Sequence, residues 1–147
     1  MVANQKMISQ IAIGTSMILI TVFAAAALTV FIERYVRKLS HAENLTRTSR
    51  LFGALVGSTL AMTLSVTIAS WLWALLLLLL DLFQDLESAL YFSLVAFTTL
   101  GFGDVILTDN WRLLSGFVAA NGFIVFGLGT AYILESISSA DSERERS

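Results

Sequence analysis

The feature that most constrains the fold is the distribution of charge along the chain, because charged side chains are absent from three long stretches. These stretches are bounded by Lys6 and Glu33, by Arg50 and Asp81, and by Arg112 and Glu135. Each is at least as long as the ~20 apolar residues that a helix needs to cross a bilayer. The sequence therefore predicts an all-α membrane protein with three transmembrane helices. We expect these helices near residues 8–33, 50–81 and 112–135.

The composition excludes several classes of function. Hydrophobic residues make up 56% and charged residues 14% of the chain, against roughly 25% charged in an average globular protein. There is no cysteine, so neither a disulfide framework nor a thiolate metal site is expected. The single histidine, His41, excludes a multi-histidine metal cluster in one chain and is the only base that could serve a serine nucleophile. It lies in a basic loop outside the membrane core, so we do not expect an enzyme. The net charge of −2 gives no reason to expect nucleic-acid binding.

The basic residues predict an orientation in the membrane. Five of the nine lie in the short loop 34–50, and short loops rich in Lys and Arg stay cytoplasmic. This places the N-terminus outside, residues 81–112 outside and the C-terminus in the cytoplasm. The first apolar run is much longer than the roughly 7–15 residues of a signal-peptide core, so we interpret it as a spanning helix.

A fourth uncharged stretch, between Glu87 and Asp104, is too short to span the bilayer and has the length of a re-entrant segment. Its first part, "DLESALYFSLVAF" (residues 85–97), predicts a short helix whose acidic residues suit the positive end of the helix dipole. Its second part, "TTLGFGD" (residues 98–104), is neither helix nor strand in character. Non-helical backbone at membrane depth is tolerated only where protein buries it or where it lines a watery cavity. The carbonyls of successive residues can face one way only if some residues take backbone conformations that side chains resist. This requirement would explain the glycines at 101 and 103.

The motif resembles the signature of tetrameric potassium channels, Thr-x-Gly-(Tyr or Phe)-Gly-Asp. The resemblance implies a homotetramer around a central pore, with a re-entrant pore helix and a selectivity-filter loop between the second and third spanning helices. It implies potassium as the permeant ligand, lipid as the surroundings, and neither cofactor nor transition metal. The implied filter residues, whose carbonyls would bind the ion, are Thr99, Leu100, Gly101, Phe102 and Gly103. The side chains of Leu100 and Phe102 are expected to point outward and pack the loop against the short helix.

The resemblance covers a pore module at residues 51–138, preceded by an extra helix at 1–33 and the loop at 34–50, and followed by a short tail at 139–147. Within the module it implies residues that support the filter: Thr98, Asp104, Tyr91, Phe92 and Trp111. It also implies a hinge and cavity-lining residues on the inner helix: Gly122, Phe123, Phe126, Thr130 and Leu134. For Gly122 the alternative is close helix packing. We expect an integral membrane protein of a prokaryotic-type plasma or inner membrane.

Departures from the family pattern leave alternatives open. Phe92 stands at a position where the family often has a tryptophan. Phenylalanine cannot donate a hydrogen bond to Asp104, so the hydrogen bond that would brace the loop is missing unless Tyr91 or Trp111 supplies it. A weakly selective cation channel and a non-conducting pore-like subunit are the alternative functions. Small residues recur at every fourth position from Gly53 to Ala69, which predicts that another helix approaches closely. The sequence does not show whether that helix is the first helix, the inner helix or a helix of a neighbouring subunit. The run "WLWALLLLLL" from Trp71 is interpreted as facing lipid.

Overall fold

The computed structural model describes residues 2–42 and 47–142. Every regular element in these ranges is a helix: α1 (Val2–Ala42), α2 (Arg47–Leu79), α3 (Leu86–Phe97) and α4 (Arg112–Ser142). Three of them contain segments long and apolar enough to cross a membrane, at Gln5–Ile32, Phe52–Leu79 and Arg112–Glu135. At 12 residues, α3 is only ~18 Å long and too short to span. The predicted all-α membrane fold is confirmed.

Three helices extend further than the sequence predicts. The loop expected at 34–50 is largely helical, because α1 continues to Ala42 and α2 already begins at Arg47. The chain has no proline, and no glycine lies in residues 34–42 or 47–50, so neither of these described stretches contains a residue that breaks a helix. Similarly, α4 continues to Ser142. The rest of the predicted loop and tail, residues 43–46 and 143–147, lies outside the described residues.

The end of α2 is fixed by a backbone motif that needs no glycine. Asp81 has a left-handed φ of 53°, which aspartate tolerates better than most residues. Its N–H bonds the Leu78 carbonyl, and the N–H of Leu82 bonds the Leu77 carbonyl, both at 3.0 Å. This is the Schellman pattern, which satisfies two terminal carbonyls and turns the chain sharply. The turn brings the chain directly to the start of α3.

The small residues of α2 receive two partners, which answers the question that the sequence left open. Ala61, Ser65 and Ala69 are buried. Ser65 lines a small cavity together with Ala25 of α1 and Val125 of α4. Small side chains let helix backbones approach closely in a membrane, where packing drives association. Both α1 and α4 therefore pack on α2 within one chain.

The interpretation of Trp73 as a lipid-facing residue is wrong. Its side chain is fully buried, as are those of Ala74 and Leu77. Trp73 and Leu77 belong to the main hydrophobic cluster, together with Phe97 at the end of α3 and Val118 of α4. The short helix α3 must be enclosed by protein, and α2 supplies part of that enclosure. Only the other side of the leucine run is left exposed, including Leu75 and Leu79.

Candidate functional site

The short helix α3 begins at a well-formed cap. Asp85 has extended backbone angles (φ −135°, ψ 153°), and its carboxylate accepts a hydrogen bond of 2.7 Å from the Ser88 N–H. The hydrogen bonds from Ser88 hold the pKa of the Asp85 carboxyl below its usual value. Glu87 adds a second carboxylate in the first turn, where the helix dipole favours negative charge. The acidic start that the sequence predicts for this helix is confirmed.

The other end of α3 is capped by the loop that follows it. The hydroxyl of Thr98 donates to the Leu94 carbonyl at 2.7 Å. The Thr99 N–H donates to the Ala96 carbonyl at 2.9 Å, and the Gly101 N–H donates to the Val95 carbonyl at 3.3 Å. These bonds satisfy carbonyls that a helix end otherwise leaves without partners. They also fix the orientation of the loop, because the bond to Val95 turns the N–H of Gly101 towards α3.

The loop, residues 98–104, alternates in backbone handedness. φ is 59° at Thr99, 56° at Gly101 and 79° at Gly103, while Leu100 and Phe102 are not among the described residues with positive φ. Alternating handedness aligns successive N–H groups on one side of a chain and so directs the carbonyls to the other side. Because the Gly101 N–H faces α3, we infer that the carbonyls of residues 99–103 are directed away from it. We call this side the carbonyl face.

Gly101 and Gly103 have the left-handed backbone that the sequence predicts for them. Thr99, which lies between them and α3, has it too, and the sequence does not predict this. Gly101 and Gly103 need their residue type for backbone conformation, since a Cβ on either would meet nothing within 4 Å in the chain. Thr99 adopts the same left-handed conformation with a β-branched side chain, which propensity gives no reason to expect. Leu100 and Phe102 are 60% and 65% exposed. In the single chain they do not pack against α3 as predicted.

Tyr91 supplies the brace that the sequence left in question. Its hydroxyl donates a hydrogen bond of 2.6 Å to the Asp104 carboxylate across the loop. The bond lowers the pKa of Asp104 and raises the pKa of Tyr91. Phe92 instead lies in the core, with its ring centroid 5.4 Å from that of Phe83. Trp111 is half-buried directly before α4, and its backbone N–H donates a hydrogen bond to the Thr108 carbonyl at 2.8 Å.

The helix α4 passes directly behind the end of α3. Gly122 is buried, and a Cβ there would overlap the Phe97 carbonyl oxygen, so close packing requires this glycine. The half-buried Phe126 ring packs against that of Phe97, with centroids 6.1 Å apart. Three other residues predicted to line a cavity are exposed in the single chain and lie in one stripe along the helix: Phe123, Thr130 and Leu134.

One polar contact inside the apolar region was not foreseen. The Asn121 Nδ2 donates a hydrogen bond of 2.6 Å to the Thr21 hydroxyl, and both residues are buried. It joins α1 to α4 across 100 positions of sequence. A signal was present, since an asparagine inside a spanning helix is expensive unless it has a partner.

The fold and the loop define an all-α membrane protein in which a short helix and a loop of alternating backbone handedness connect two spanning helices. Comparison with protein families adds the identification: the family described as "Ion channel" matches residues 60–139. The match runs from the middle of α2 to near the end of α4 and covers more than half of the chain. The protein therefore belongs to the ion channel family. Comparison with curated proteins and with solved structures gives no match.

Proposed function

We propose that four copies of the chain surround one axis and form a potassium-selective channel. Each copy contributes its carbonyl face, and the carbonyls of Thr99, Leu100, Gly101, Phe102 and Gly103 replace the water shell of a dehydrated potassium ion. Transport is passive, and no chemical step, cofactor or transition metal is required. Cyclic symmetry is needed because one chain supplies a single wall of such a site.

The observation that carries the proposal is the alternating backbone of the loop. φ is positive at three alternate positions, 99, 101 and 103, and the Gly101 N–H is turned towards α3 by its bond to Val95. With this alternation the carbonyls of five consecutive residues would share one direction, away from α3. A simple turn between helices needs no such alternation. A stack of parallel carbonyl dipoles is what cation coordination requires.

Further features agree with the proposal. Asp104, held by Tyr91 at the outer end of the loop, keeps its negative charge over a wide pH range because its pKa is lowered. Four such carboxylates would concentrate cations at the mouth. On α4, the exposed stripe of Phe123, Thr130 and Leu134 would line the cavity below. In the proposed orientation the N-terminus is outside and the C-terminus cytoplasmic, in a membrane of prokaryotic type.

The reversal potential tests the proposal. Purified protein in planar bilayers, with potassium chloride on one side and sodium chloride on the other, should reverse near the potassium equilibrium potential. Gly101→Ala should lose this selectivity, since alanine resists a positive φ. Gly116→Ala is the matched control, because a Cβ at Gly116 meets nothing within 4 Å.

Two other outcomes would contradict the proposal. A wild-type reversal potential near zero would favour a weakly selective cation channel, in which the exposed Leu100 and Phe102 leave the loop loosely held. Absence of current from protein shown by chemical crosslinking to be tetrameric would favour a non-conducting subunit.

A further inference from the structure

We propose that α1 positions the conducting loop through a hydrogen bond to α4, with Thr21 as the positioning residue. The helix lies outside the part of the chain that matches the ion channel family. The inference deepens the proposed function and rests on it for its electrical readout. It assigns to α1 a role in holding the end of α3.

Three contacts join α1 to α4 and to the turn that precedes it. At one end, the Gln10 Nε2 donates to the Asn110 carbonyl at 2.8 Å. Further along, Gly14 lies so close to the ring of Phe117 that a Cβ would overlap it. Positions 10, 14 and 21 lie on one face of α1, and positions 117 and 121 lie on one face of α4. The two helices therefore contact one another along a parallel seam that reaches Thr21 and Asn121.

The polar end of the seam has a definite hydrogen-bond direction. The single Thr21 hydroxyl proton is directed to its own helix, at the carbonyls of Met17 (2.9 Å) and Ile18 (3.0 Å). Its oxygen is then an acceptor for the Asn121 amide. In the described part of the chain the Asn121 Oδ1 has no partner. Thr21 is therefore the neighbour that holds this buried amide in place.

This bond fixes the rotation of α4 about its axis. Successive residues of a helix are ~100° apart, so holding Asn121 towards α1 also holds Gly122 towards α3. There Gly122 meets the Phe97 carbonyl at a distance that no side chain allows. Rotation of α4 would replace Gly122 by the side chain of a neighbour. The Asn121 bond thus maintains the rotation of α4 about its axis at which α4 fits behind α3.

The end of α3 is where the conducting loop starts. Phe97 is its last residue, and Thr98 and Thr99 follow directly with bonds back to Leu94 and Ala96. A shift at Phe97 is therefore passed on to the base of the loop through the backbone. Coupling along this route needs only packed backbone contacts and one polar pair.

The test compares Thr21→Val with Thr29→Val. Both replace a threonine of α1 by its near-isostere, but the Thr29 hydroxyl bonds only the Ala25 carbonyl of its own helix, at 2.8 Å. Amide hydrogen exchange of residues 97–103 is measured in lipid nanodiscs. In Thr21→Val we expect exchange about threefold to tenfold faster, a range set by typical interhelical polar pairs in membranes. Thr29→Val should exchange as the wild type does.

Two further sets of variants complete the experiment: an exchange of the two partner residues and a pair of smaller substitutions at Thr21. Exchanging the partners, Thr21→Asn with Asn121→Thr, should restore slow exchange, as expected of a pairwise bond. If Thr21→Val fails to fold, Thr21→Ala and Thr21→Ser differ only by the hydroxyl oxygen, and only the alanine variant should exchange faster. Equal exchange of the loop in all these variants would overturn the proposal. So would faster exchange confined to α1, which would indicate a purely structural role.

The electrical readout separates the two proposals. If wild-type channels select potassium and Thr21→Val reduces the shift in reversal potential, both are supported. If wild-type channels do not select potassium, the proposed function fails, while the exchange data still decide whether Thr21 positions the loop. Unchanged exchange in Thr21→Val with full wild-type selectivity would refute the positioning role alone.

Discussion

Replacement of Gly122 by alanine tests the packing on which the whole site depends. The added Cβ would lie 2.6 Å from the Phe97 carbonyl carbon and 3.1 Å from its Cα, and would overlap the oxygen. All three are main-chain atoms, so no change of rotamer can relieve the overlap. Ordinary contacts between carbon atoms are about 3.5–4.0 Å. The end of α3 and α4 must therefore separate by about 1 Å.

The expected free-energy cost follows from that separation. Overpacking a core costs about 1–3 kcal/mol, and we expect the upper end here because backbone lies on both sides. Alanine also gains about 1 kcal/mol over glycine in a helix interior. Gly127→Ala shares this gain without the clash, since a Cβ at Gly127 meets nothing within 4 Å. The difference between the two variants therefore isolates the overlap, at about 3 kcal/mol.

Thermal unfolding in detergent measures this difference. For a chain of this size about 3 kcal/mol corresponds to roughly 6–12 °C in the unfolding midpoint, with Gly122→Ala the lower. In bilayers, Gly122→Ala should also lose selectivity, because the base of the loop moves with Phe97. If both variants unfold at the same midpoint and conduct alike, Gly122 would not be a packing residue, and the hinge that the family resemblance implies would be the better interpretation.

Three further predictions concern the loop and its helix. Gly101→Ala, with φ held at 56°, should cost about 1–2 kcal/mol per subunit and be seen as a lower midpoint of thermal unfolding; an unchanged midpoint would contradict the left-handed backbone. Tyr91→Phe removes the bond that lowers the pKa of Asp104, so this pKa should rise towards its ordinary value. A lowered pKa stabilises the fold above the ordinary carboxyl pKa, and the stabilisation is lost as pH falls through the lowered value. The acid-induced fall in single-channel conductance should therefore begin at a higher pH in Tyr91→Phe than in wild type, and coincident titrations would rule out this role. Asp85→Ala removes the acceptor for the Ser88 N–H and should lower the unfolding midpoint, whereas Asp85→Asn, which keeps an acceptor, should lower it less.

Several parts of the fold and site could be predicted because they depend on local chemistry. The uncharged stretches located all three spanning helices, since the cost of burying charge in lipid leaves few other solutions. Asp85 identified the start of α3 through its capping chemistry. Gly101 and Gly103 identified where the backbone becomes left-handed. Each of these inferences needs only a few neighbouring residues.

The remaining features depend on contacts that sequence does not record. Trp73 lies in a run that is apolar on every side, so no polar face shows which residues meet lipid and which meet protein. The Thr21–Asn121 pair joins helices that are far apart in sequence. Tyr91 and Trp111 were equally plausible braces for Asp104, and only the path of the loop decides between them.

At the base of the loop, the strain of the left-handed backbone at Thr99 opposes a hydrogen bond of similar strength. Holding a threonine at a φ of 59° costs about 1–2 kcal/mol. Rotating the peptide between Thr98 and Thr99 would release that strain but break the bond from the Thr99 N–H to the Ala96 carbonyl, which contributes about 0.5–1.5 kcal/mol. The two terms nearly cancel, so neither conformer is strongly preferred by the chain alone. Under the proposed function, a potassium ion at the carbonyl face would favour one of these conformers, so the occupancy of the loop and its shape would be one equilibrium.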